Sequence, residues 1–221
     1  MVKEGLAYRS GFYRGENFVA ERKGLDPDQV VIVGAHLDSV NNPGADDDGA
    51  GIVVSLAIAR DLAAMGRLPV TVRFVGFDQE EKGLIGSRAY VKSLLQNKEA
   101  EKIVGVFIME MMGYDSDDDG SFHLITCQQH SALKLARLVE DTIRHKSLSL
   151  EPIHYCTNRS DHAPFWNSGI PAVVMSQNFF KGDANPCYHK ACDRADILNF
   201  GYMNKLTDAM SGAVQSLLYS L

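Results

Sequence analysis

The chain has 221 residues, with 28 Asp and Glu against 22 Lys and Arg, and a formal net charge of −6. No basic cluster stands out, which argues against nucleic acid as a partner, because phosphate neutralisation needs concentrated Lys and Arg. No apolar run reaches the roughly 18 residues of a membrane-crossing helix, and the length suits a single domain around one large core.

The first 29 residues show no apolar segment of the kind a secretory leader carries, although a mature domain cloned without its leader would read the same way. The first predicted strand is the continuous apolar run VVIVGA at residues 30–35, a pattern expected where both faces of a sheet are covered. Residues 49–65 (GAGIVVSLAIARDLAAM) read as a helix, with Asp48 near its start as a cap. VTVRFVGF at 70–77 is the next strand, 84–96 a helix, and IVGVFIM at 103–109 a third buried strand. Residues 122–126 form a further strand. The stretch 131–145 is an amphipathic helix with Leu133, Leu135, Leu138 and Val139 turned inward. A short helix following Asp161 and His162, the strand PAVVM at 171–175 and a helix over 195–221 complete the chain. Strands alternating with helices predict a three-layer α/β/α sandwich with a mostly parallel mixed central sheet, as one domain over residues 1–221.

In open α/β sheets, ligands bind beyond the carboxyl ends of the strands. His36 and Asp38 follow the first predicted strand, Asp78, Glu80 and Glu81 follow the second, and Glu110 follows the third. Asp161 and His162 precede PAVVM, and His189 lies in the loop after it. Imidazoles and carboxylates from four segments thus converge on one edge, a donor set that suits zinc at roughly 2.0–2.2 Å. The stretch HLDSVNNPGADDDGAG, from His36 to Gly51, raises its own question. Three consecutive aspartates repel one another and are costly to bury, unless a dication beside them makes the charge necessary.

Other residues have plainer readings. Asp46 and Asp48 read as loop or cap residues and Asp78 as a loop acid. His123, His130, His145 and His154 read as surface or packing histidines, and His162 as a structural hydrogen-bonding residue. Met109, Met111 and Met112 read as core, with one of them free to line an apolar pocket. The spacing of Cys187 and Cys192 in CYHKAC reads equally as a small disulfide loop or as two reduced thiols.

The motifs GAHLDS, PGADDDGAG, FDQEEKGLIGS, RSDHAPFWNSGIPAV and CYHKACD occur in this order across residues 34–193. With them the sequence resembles the co-catalytic dizinc aminopeptidases of the bacterial leucyl aminopeptidase type, whose relatives include glutamate carboxypeptidases and glutaminyl cyclases. The resemblance implies two zinc ions per chain. It places His36 and Glu110 on one zinc, Glu81 and His189 on the other, and Asp47 as the bridging carboxylate, with a cis peptide between Asp47 and Asp48. It implies Glu80 as general base, Tyr188 as a hydrogen-bond donor to the oxyanion, and Arg159 and Glu110 as substrate contacts. Asp38 and Ser160 would orient His36 and Glu110. The bacterial members usually carry Asp where this chain has Glu110, one methylene longer.

The reaction implied is removal of N-terminal, apolar residues from peptides with a free N-terminus, by a hydroxide shared between the metals. The alternatives are a glutaminyl cyclase, a carboxypeptidase-type relative or a non-catalytic metal-binding domain. The expected state is a monomer or small homo-oligomer. CYHKACD matches a disulfide-closed version of the family loop, which points to a secreted or periplasmic protein, with a cytoplasmic one as the alternative. The segment ahead of the first predicted strand, residues 1–29, is shorter than the family's usual N-terminal portion.

Overall fold

A computed structural model describes residues 2–127 and 130–221; the side chains of Val2, Lys3, His130 and Ser131 lie outside the described residues. The chain begins with β1 (Val2–Ser10) and β2 (Tyr13–Arg22), an antiparallel hairpin in which Ser10 faces Tyr13. These two strands correct the expectation that the first strand starts at Val30. In β2 only Asn17 and Ala20 are buried, so neither strand offers the apolar run by which strands are recognised.

The next strand, β3 (Asp26–His36), already begins four residues before the apolar run. In order there follow α1 (Gly51–Ala64), β4 (Val70–Phe77), α2 (Ile85–Gln96), β5 (Ile103–Glu110), β6 (Ser121–Ile125) and α3 (His130–Lys146). The chain finishes with β7 (Glu151–Tyr155), α4 (His162–Asn167), β8 (Ala172–Gln177) and α5 (Phe200–Ser220). Strand β7 was not expected either. It is partly exposed and carries Pro152, both features of an edge strand with a weak pattern.

One eight-stranded sheet runs β1-β2-β4-β3-β5-β8-β6-β7. The β4-β3-β5-β8 centre and the β6–β7 pair are parallel, while β1–β2, β2–β4 and β8–β6 are antiparallel. Alternation along β3 explains the layers. Val31, Val33 and Ala35 pack with α1, α3 and α5 through residues such as Ile58, Val139 and Leu206. Val30 and Ile32 point the other way, into a second core with Tyr90 of α2 and Phe165 of α4. Helices on both faces keep the central strands dry, which is why they read as unbroken apolar runs. Among the described residues, no helix is long and apolar enough to cross a membrane.

The four parallel central strands deliver their carboxyl ends to one edge. The Cys187–Cys192 disulfide closes the loop that holds His189 at that edge. A second disulfide, Cys127–Cys156, joins the chain just beyond the ends of neighbouring β6 and β7, which run antiparallel to β8.

Candidate metal centre

His36 is the last residue of β3 and Glu110 the last of β5, so two parallel strands place an imidazole and a carboxylate side by side. His36 Nε2 lies 3.1 Å from Asp47 Oδ1 and 3.5 Å from Glu110 Oε1. On the other side of Asp47, His189 Nε2 lies 3.1 Å from Asp47 Oδ2 and 3.1 Å from Glu81 Oε2. One carboxylate therefore stands between two imidazoles, each with its own partner glutamate. In each triad the donor atoms lie within 4.8 Å of one another.

The conformation of residues 45–50 makes this possible. ADDDGA forms a wide turn in which Asp47 and Asp48 leave helical angles, and the Asp47–Asp48 peptide is cis. The three aspartates have separate partners. Asp46 accepts from the Gly113 N–H at 2.9 Å, Gln177 Nε2 at 2.9 Å and Asn185 Nδ2 at 2.8 Å. Asp48 accepts from the backbone N–H groups of His36 at 3.1 Å, Met111 at 2.9 Å and Gly51 at 3.2 Å. Asp193 receives the N–H groups of Asp46 and Asp47. Asp47 Oδ2 is left buried without a hydrogen-bond donor, as are His36 Nε2 and Glu81 Oε1. The outer aspartates, expected as loop or cap residues, are buried anchors of the site; only the Gly51 contact of Asp48 resembles a cap.

Around this core, Ser160 Oγ donates to Glu110 Oε2 at 2.6 Å and leaves Oε1 facing His36. The acceptor for His36 Nδ1 is the backbone carbonyl of Asp38 at 2.9 Å, while the Asp38 carboxylate sits 3.7 Å away. That carboxylate instead accepts the N–H groups of Glu80 at 2.8 Å and Glu81 at 3.3 Å. Four residues with positive φ flank the site: Gln79, Leu84, Met111 and His189. None is glycine, so no turn signal in the sequence marks these bends.

Burial, with Glu110 and Asp161 nearby, pushes the Glu80 carboxyl up to about 9. Burial and Asp47 push Glu81 up to about 8. Burial opposes charge on His36, but Glu110, Asp48 and Asp47 outweigh it and hold its pKa well above the usual value.

The donor set passes the test for metal. Two donors on one tetrahedral zinc stand roughly 3.3–3.6 Å apart, close to the observed 3.1–3.5 Å separations. Two orphaned buried atoms, His36 Nε2 and Asp47 Oδ2, are among the donor atoms of these triads and would face the ions. Nitrogen and carboxylate oxygen without thiolate suit zinc.

Glu80, Glu81, Glu110, Tyr188 and His189 open onto a cleft of about 460 Å³. Arg159 lies on its rim, exposed, and Met111, Ile125, Phe179 and Phe180 supply apolar lining. Tyr188 stacks on His189 with ring centroids 3.7 Å apart. His162, by contrast, bonds the Thr157 carbonyl at 2.9 Å and packs on Trp166. His123 is buried in a stack with Tyr155 and Phe180.

The α/β sheet thus carries at its strand ends two candidate metal-binding groups, His36–Asp47–Glu110 and Asp47–Glu81–His189, that share Asp47. The profile of Peptidase family M28 matches residues 17–214, and the chain belongs to that family. It is 31% identical over 202 residues to Aminopeptidase Y of Saccharomyces cerevisiae, covering 86% of this chain and 36% of that protein. Its fold superposes on BSAP, a zinc aminopeptidase from Bacillus subtilis, with a TM-score of 0.84 and 25% identity, over 94% of this chain and 51% of that one. A glutaminyl cyclase from an Acidobacteriales bacterium shares the fold, with a TM-score of 0.81 over 100% of this chain and 80% of that one, at 17% identity. The chain spans between about a third and a half of the length of the curated relatives it matches.

Proposed function

We propose that this chain is the catalytic unit of a metallo-aminopeptidase that holds two zinc ions and removes N-terminal, apolar residues from peptides. The observation that carries the reading is Asp47, whose two oxygens each lie 3.1 Å from a different imidazole. In this reading His36 and Glu110 would hold one ion, Glu81 and His189 would hold the other, and Asp47 would be shared between them. Zinc, when bound, acidifies water and polarises the scissile carbonyl.

The residues of the chain do the rest. Glu80 opens onto the same cleft as Glu81 and Glu110, and is a carboxylate once positive charge sits beside it. It takes the proton of the attacking water and returns it to the leaving amine. Burial, then Asp47, Glu81 and Glu110, raise the Tyr188 pKa, so its hydroxyl stays protonated and donates to the developing oxyanion. Glu110, held by Ser160, receives the substrate α-ammonium, which limits cleavage to N-termini. Arg159 contacts the peptide at the rim, and the apolar lining takes the first side chain. Asp38 steadies His36 through its carbonyl and the Glu80–Glu81 turn through its carboxylate. Two disulfides support a secreted or periplasmic setting.

The test is elemental analysis together with hydrolysis of a leucyl anilide by the parent and by Glu80→Gln. Two zincs per chain, chelator-sensitive turnover, and a variant that keeps its zinc but loses at least about 10³-fold in kcat are expected. Near-parental kcat in Glu80→Gln would refute the base assignment. One zinc, no anilide hydrolysis and cyclisation of N-terminal glutamine would replace the peptidase reading with that of a cyclase.

A further inference from the structure

A second group of carboxylates converges away from the His36–His189 centre. The stretch Asp115-Ser116-Asp117-Asp118-Asp119-Gly120 has acids at its first, third and fifth positions and glycine at its sixth. This is the spacing with which a calcium-binding loop supplies its leading ligands around a sharp turn. In the fold, Asp115, Asp117 and Asp119 meet Asp183, which lies beyond β8, and their oxygens fall within 4.8 Å of one another. Gly120 has φ +74°, and a Cβ there would come within 2.6 Å of the Ser149 carbonyl, so the turn excludes other residues.

Asp115 points independently to a ligand. It is 7% exposed, and neither carboxylate oxygen has a hydrogen-bond partner. Burial, then Asp183, raise its pKa; the Gly120 N–H offsets part of this without reaching hydrogen-bond geometry. A buried carboxylate with no donor is costly unless a cation faces it. Asp183 is 2% exposed, and its Oδ1 accepts both the Ser116 N–H at 2.8 Å and the Ser116 hydroxyl at 2.7 Å. Asp117 and Asp119 each accept one backbone N–H, from Asp119 and Ser121 respectively. The Arg and Lys ion pairs of the described residues all involve other acids.

We propose that Asp115, Asp117, Asp119 and Asp183 bind one calcium ion. The ligands are all hard oxygens, with no imidazole or thiolate to favour zinc. The site is irregular and partly open, which suits the variable coordination of calcium better than the strict octahedron of magnesium. Its place gives it a purpose. Asp115 follows Glu110 by five residues, and Asp183 precedes Tyr188 by five. The ion staples the segment after β5 to the segment after β8, and so braces the two chain stretches that carry Glu110, Tyr188 and His189.

The experiment is calorimetric titration of CaCl₂ into zinc-saturated protein freed of calcium on a chelating resin, with MgCl₂ run in parallel. One equivalent of calcium with Kd of about 10⁻⁵–10⁻³ M is expected, with magnesium weaker. Asp117 and Asp119 are exposed, so Asp117→Asn and Asp119→Asn should fold as the parent does and keep its zinc content. Each should weaken calcium binding at least about tenfold by removing a ligand charge. Absence of saturable calcium binding up to about 10 mM, equal affinity for magnesium, or variants that bind calcium as tightly as the parent would overturn the assignment.

Discussion

Three consecutive aspartates can share one turn because each oxygen pair has a different destination. Asp46 and Asp48 are surrounded by N–H donors, and Asp47 stands between imidazoles. Backbone and amide donors hold the outer two and offset part of the cost of burying them, while the middle one, set between imidazoles, is free to meet a metal. Asp46→Ala would strand three buried donors, at about 1–3 kcal/mol for each that stays unpaired. Partial relaxation leaves an expected loss of about 3–5 kcal/mol in denaturant unfolding of the zinc-loaded protein. A loss below about 1 kcal/mol would mean that Asp46 is a bystander. The sequence showed acids at this place, and resemblance picked out the middle one. It offered no route to Asp46, whose partners Gly113, Gln177 and Asn185 are far along the chain, nor to the contact between Asp48 and Met111.

At the scale of elements, the N-terminal hairpin acquires a role that its composition hides. Asn17 in β2 accepts the Asp78 N–H at 3.0 Å and donates to the Gly86 carbonyl at 2.9 Å. Asp78, read as a loop acid, takes the Glu16 N–H at 3.1 Å and lies 3.3 Å from the Tyr8 hydroxyl. Gln79 reaches back to the Arg14 carbonyl at 2.9 Å. The hairpin thus clamps both ends of the turn that presents Glu80 and Glu81. Asn17 is fully buried, and Asn17→Ala should cost about 2–3 kcal/mol. It should also lower kcat and zinc affinity together, because the turn that loosens carries both Glu80 and the proposed ligand Glu81. Unchanged stability and unchanged turnover together would show that the clamp is incidental. β1 and β2 escaped recognition because polar, half-exposed strands lack the apolar contrast on which strand reading depends. The central strands, buried on both faces, carried that signal in full.

At the scale of the molecule, two cores hold the sheet from both sides, while the edge where the strands end gathers buried charge. Packing stabilises the sandwich, and the site opposes it through repulsion among Asp47, Glu80, Glu81 and Glu110. Bound metal reverses that term, since a ligand present at about 1,000 times its Kd adds about 4 kcal/mol to stability. Removing the metal with a chelator should therefore lower the thermal midpoint by about 8–16 °C for a chain of this size. The check is differential scanning calorimetry with zinc content measured on the same samples. A midpoint that stays put after the zinc is gone would mean that the ions contribute nothing to the fold.

The sequence by itself determined the alternation of buried strands and helices, and with it the three layers and the edge where ligands gather. Its ordered motifs also carried the family and the residues that line the site. These properties are written in short stretches, as period, apolar runs and the residues that follow each strand. Only the tertiary structure decided the pairing of Cys127 with Cys156, the buried tasks of Asp46, Asp48 and Asp193, the clamp from the N-terminal hairpin, and the meeting of Asp183 with the 115–119 loop. Each of these joins residues distant in sequence. Their proximity follows from sheet order and packing, which no local pattern encodes.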